Sequence, residues 1–152
     1  MDSVKWVIPL VVAVLGLYGL GCGGSDEATA ISKSDFISKG NKICAETVAD
    51  QTAAYERIGK EVAGKELTPD ESRAKEHEFV EAVADTVDTM IDEFEELGVP
   101  TGKQETVDKM LSEYGQGAEE ARESPQLFLS GKAFSEADQQ AKAVGLNKCE
   151  GM

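Results

Sequence analysis

The sequence predicts an all-α protein: an antiparallel four-helix bundle behind an N-terminal apolar leader. Three observations carry this. Four stretches repeat apolar residues at steps of three and four, and none alternates strictly between apolar and polar. Alanine and glutamate are common, whereas valine and isoleucine are sparse outside the leader. The links between the stretches are short, which favours antiparallel neighbours.

The leader spans residues 1–21. Lys5 sits in a short head, and the run Trp6 to Leu20 carries no charge. That run falls short of the ~20 apolar residues that a spanning helix needs. It ends Gly19-Leu20-Gly21-Cys22, followed by a glycine-rich polar stretch. This resembles a bacterial lipoprotein signal, in which the cysteine becomes the lipidated first residue; Gly19 stands where such signals usually carry leucine. The resemblance implies a signal peptide over 1–21, lipidation at Cys22, and a tether over 22–32 before a helical domain over 33–152. An uncleaved anchor and cleavage after Ala28-Thr29-Ala30 are the alternatives.

The first helix is expected from Ser32 or Ser34, with Asp35 near its positive end. Its apolar stripe reads Phe36, Ile43, Cys44, Val48, Tyr55, Ile58, Val62, and Gly64 is its stop. The second starts at Thr68-Pro69-Asp70-Glu71, an N-cap, a proline at N1 and an acid at N3. Val80, Val83, Val87, Met90, Phe94 and Leu97 follow, and Gly98 and Pro100 end it. The third runs from about Lys103 to Glu123 through Val107, Met110, Leu111, Tyr114, Ala118 and Ala121. Gly115 and Gly117 weaken it by ~1 kcal/mol each unless a neighbour packs closely there. Leu127, Phe128 and Leu129 form an apolar knot in the connection. The fourth carries Phe134, Ala137, Ala141 and Val144 and stops at Gly145-Leu146.

Cys44 and Cys149 form an even pair in a domain expected to be exported, which reads as a disulfide. Free thiols or metal ligands are the alternatives, although two sulfurs without a clustered histidine do not complete a zinc site. In an up-down-up-down bundle, the start of the first helix and the end of the fourth lie together, so the two cysteines fall at one end.

The pattern resembles a group of small secreted lipoproteins from actinobacteria and their relatives. The matching pieces are the Gly-Cys-Gly-Gly leader end, Ser-Lys-Ser-Asp-Phe-Ile-Ser-Lys-Gly-Asn-Lys-Ile-Cys at 32–44, Leu-Gly-Val-Pro-Thr-Gly at 97–102 and Gly-Leu-Asn-Lys-Cys at 145–149. The resemblance implies an exported helical domain clamped by Cys44 and Cys149, with no established activity. The group's usual Ala-Asp is Gly40-Asn41 here, a departure that predicts looser helix packing at that point.

Net charge is −14, and it is uneven: residues 69–97 hold eleven acids against two bases. Such a domain repels nucleic acid and anionic lipid heads. No G-x-S-x-G, no phosphate-binding glycine loop and no second histidine beside His77 are present, so no catalytic residue, metal ligand or cofactor is expected. His77, among Glu76, Glu78 and Glu81, reads as a structural or flanking histidine. Glu78, Glu81, Asp85, Asp88, Asp92 and Glu95 form one stripe, read as a solvated face rather than a calcium or polycation site. Tyr55, Tyr114, Phe128 and Phe134 read as core rather than a ligand pocket.

The functional expectation is a lipid-anchored, non-enzymatic protein on the extracytoplasmic face of a cell membrane, with a binding or scaffolding role. Its partners would be the membrane, through the lipid, and an envelope protein. A small-ligand carrier and a cation-binding envelope protein are the alternatives.

Overall fold

A computed structural model of the chain describes residues 31–151. The leader, Cys22 and nearly all of the tether lie outside the described residues. The described chain is all-helical, with five helices: α1 Lys33–Val62, α2 Pro69–Leu97, α3 Gln104–Glu123, α4 Pro125–Leu129 and α5 Ser135–Val144. None is long and apolar enough to cross a membrane.

Local chemistry sets the ends. Ser32 caps α1, its hydroxyl accepting from the Asp35 N–H at 3.1 Å. Thr68 and Glu71 form a reciprocal capping box at α2, with the Thr68 N–H donating to the Glu71 carboxylate at 2.8 Å. That N–H, and then the Thr68 hydroxyl, which also donates at 2.8 Å, hold the Glu71 carboxyl below the usual range. Gly145 takes a left-handed conformation after α5, its N–H donating to Lys142 O and the Leu146 N–H to Ala141 O. This 6→1 and 5→2 pair returns Leu146 onto the core, where it is fully buried. The expected knot at 127–129 is α4, too short for periodicity to reveal, with Pro125 at its first position.

The helices pack in chain order, α1 on α2, α2 on α3 and α3 on α5. Gly40, early in α1, meets Phe94, late in α2, whereas Glu61, late in α1, meets Lys75, early in α2. The core joins Phe36, Phe94, Met90, Met110, Tyr114 and Leu146 with the disulfide between Cys44 and Cys149.

Two sequence expectations need correction. A Cβ on Gly40 would stand 2.6 Å from a Leu146 methyl and 2.8 Å from Phe94. Gly40-Asn41 therefore permits the closest approach of α1 rather than loosening it. Asn41 also donates to Gly145 O at 3.2 Å and accepts from the Lys148 N–H at 2.8 Å; a carboxylate there lacks the donor. Second, the inward stripe of α1 runs through Gly40 and Thr47, while Val48 and Tyr55 are exposed. Gly117, where the sequence left room for a close neighbour, is a contact: a Cβ there would strike the Ala133 carbonyl and Phe134. Gly115 is not, its nearest neighbour being Ile91 at 3.7 Å.

Candidate functional site

The helices are unequal. At 1.5 Å per residue, the 30 residues of α1 extend about 45 Å and the 10 of α5 about 15 Å. The far half of α1 has α2 beside it, and α5 is too short to match its length. An open, largely apolar groove of about 320 Å³ lies there, between α1, the start of α2 and α4. Tyr55, Ile58, Val62, Leu67, Phe79 and Leu129 form its apolar lining. Tyr55 is 66% exposed and Leu129 48%, whereas fully buried leucine is represented by Leu146 at 0%.

An aromatic ladder joins this groove to the core. Tyr55 meets Phe79 at 5.8 Å between centroids, Phe79 meets Phe128 at 5.7 Å, Phe128 meets Phe134 at 6.1 Å and Phe134 meets Tyr114 at 6.0 Å. The core assignment holds for Tyr114 and Phe134. Phe128 is half-buried on the ladder, and Tyr55 is the exposed end of it.

Ion pairs brace the groove's rim. Lys75 reaches Glu61 at 2.6 Å and Glu78 at 2.7 Å, and Arg57 reaches Glu78 at 2.7 Å and Glu61 at 3.1 Å. Hydrogen bonds from Lys75, and then from Arg57, hold the Glu61 and Glu78 carboxyls below the usual range. Glu76, on the groove wall, meets only the Gln126 amide at 3.5 Å.

The opposite end is closed. The Tyr114 hydroxyl donates to Asp138 at 2.9 Å, and the other Asp138 oxygen accepts from the Gly151 N–H at 2.9 Å. Burial raises both groups, and for Asp138 it outweighs the two donors that favour its ionised form. The cluster ties α3, α5 and the C-terminal turn together beside the disulfide, whose Cα atoms stand 4.9 Å apart.

The acidic stripe of α2 is split rather than uniformly solvated. Arg122, from α3, reaches Asp88 at 2.6 Å, Asp85 at 2.9 Å and Glu81 at 3.4 Å. Hydrogen bonding to Asp88, then Asp85, raises the Arg122 guanidinium further. Glu78 belongs to the groove's rim, and Asp92 and Glu95 are exposed. His77 is an exposed flanking residue, 3.9 Å from Glu81. Among the described residues no cluster of three or more His, Cys, Asp or Glu is placed to hold a metal. The sequence pattern did not single out Arg122 or Asp138, because each meets its partners far along the chain.

Compared with protein-family models, curated proteins and solved structures, the chain matches none.

Proposed function

We propose that this is a lipid-anchored, non-enzymatic protein of the extracytoplasmic face of a cell membrane, which docks an envelope partner in the apolar groove. Its four longer helices are taken as one antiparallel bundle, tethered at one end and receptive at the other. The observation that carries the reading is the groove's position. Tyr55–Val62 lies 22–29 residues beyond Lys33, roughly 33–44 Å along the helix. A chain anchored through Cys22 would present the groove away from the membrane. The leader's Gly-Cys-Gly-Gly end and the resemblance to small secreted lipoproteins support the anchor. The exposed, apolar Tyr55 and Leu129 support the docking role.

A photo-crosslinking side chain at Leu129 in the full chain, expressed in cells, tests this. It is expected to yield a discrete adduct that the same probe at exposed Lys148 does not. Equal adducts from both positions would remove the docking role. For the anchor, Cys22→Ser is expected to abolish labelling by a clickable palmitate analogue and move the protein out of the membrane fraction. Unchanged labelling would remove the lipid.

A further inference from the structure

Resting on that docking role, we infer the class of partner: an amphipathic helix with an apolar stripe and a basic flank, which seats along the far half of α1.

The first argument is periodicity. Besides its inward stripe, α1 carries a second, outward one. Val48, Tyr55 and Val62 recur every seven residues, with Val48 and Tyr55 exposed and Val62 half-buried. Val48 and Tyr55 are two of the three exposed large hydrophobic residues among those described, and the third, Leu129, lines the groove with Tyr55 and Val62. A seam of that period is what one helix presents to another. The second argument is length. The turn after α5 meets α1 at Gly40, Asn41 and Cys44, all in its near half, and α4 packs on α3 and α2. The third is charge. The rim cations Arg57 and Lys75 are each held by both Glu61 and Glu78. Among the described residues, no cation pairs with Glu76. A basic flank therefore finds a free carboxylate on the groove wall, whereas the cation that lines the groove, Lys75, is already held by two carboxylates. A second copy of this chain, itself at −14, brings the wrong sign.

The test uses the full chain in phosphatidylcholine nanodiscs, with empty discs as blank, and two labelled 21-residue helical peptides. Both carry leucine at steps of three and four; one has lysine flanks and the other glutamate. At 150 mM salt the lysine peptide is expected to bind at least tenfold tighter. Tyr55→Ala with Leu129→Ala is expected to weaken it at least tenfold with unchanged melting, since both side chains are exposed. Glu76→Gln is expected to weaken the lysine peptide about threefold and leave the glutamate peptide unchanged. If the lysine peptide ignores the Tyr55 and Leu129 changes, it binds the acidic face of α2 and the inference fails. Equal affinity of both peptides overturns the basic partner but leaves the docking role intact. Leu129 crosslinks in cells without binding of either peptide overturn the helix, and a Leu129 crosslink between two copies replaces the partner with a second chain. No Leu129 adduct at all removes the docking role itself.

Discussion

The two ends of the molecule solve the same problem differently. At the clamped end, small residues let backbones approach, and polar groups brought in beside the disulfide find partners. Gly40 admits Leu146 and Phe94, Asn41 bonds the C-terminal turn, and Asp138 accepts from Tyr114 and Gly151. At the groove end, apolar side chains stay open to solvent and are braced from outside by exposed ion pairs. Exposed pairs contribute little stability, but they set the spacing of two helices. One end is therefore built for persistence and the other for access.

The sharpest way to break the contrast is to cut the clamp. Cys44→Ser with Cys149→Ser is expected to cost about 2–4 kcal/mol, read from urea unfolding, since the bridge closes a loop with a sequence separation of 105. A loss under about 1 kcal/mol would mean that Leu146 and Asn41 hold the C-terminal turn unaided. Gly117→Ala comes next. The new methyl meets the Ala133 carbonyl, a backbone atom that cannot rotate away. A cost of about 1–3 kcal/mol is expected, although alanine is the better helix former by about 1 kcal/mol. Gly115→Ala, with only Ile91 at 3.7 Å, is expected to stabilise instead.

How much of this was legible in the sequence follows from where the determinants lie. α2 was readable end to end, because Thr68, Pro69, Glu71 and Gly98 act within a few residues of the helix they bound. The stripe of α1 was not. Gly40 and Thr47 point inward without being apolar, and Val48 and Tyr55 are apolar without pointing inward. Two interleaved stripes were merged into one. The disulfide was legible from cysteine count and expected export. The groove was not, because its lining comes from α1, the link to α2, α2 and α4, which only the fold brings together.

Acid should separate the ends further. Glu61, Glu71 and Glu78 are held below the usual carboxyl range, so their contribution is present above about pH 4.5 and is lost as pH falls through their lowered values. Asp138 is raised, so its contribution is present below the ordinary aspartate value and is lost as pH rises through its own. Between pH 6 and pH 3.5, hydrogen exchange corrected for intrinsic rate is expected to quicken at the end of α1 and start of α2. Protection around Tyr114 is expected to hold. Uniform quickening would show that the rim pairs do not govern the groove end.

The smallest expected effect decides most about the groove. Leu146→Ala empties a fully buried site and is expected to cost about 2–5 kcal/mol. Leu129→Ala removes a side chain that is 48% exposed, and Tyr55→Ser one that is 66% exposed. Each is expected to change unfolding stability by less than about 0.5 kcal/mol. If either costs as much as Leu146→Ala, the groove is part of the core and its openness is a structural accident. If both are silent in unfolding, those side chains do nothing for the fold. Their apolar surface then has its use only in what it meets.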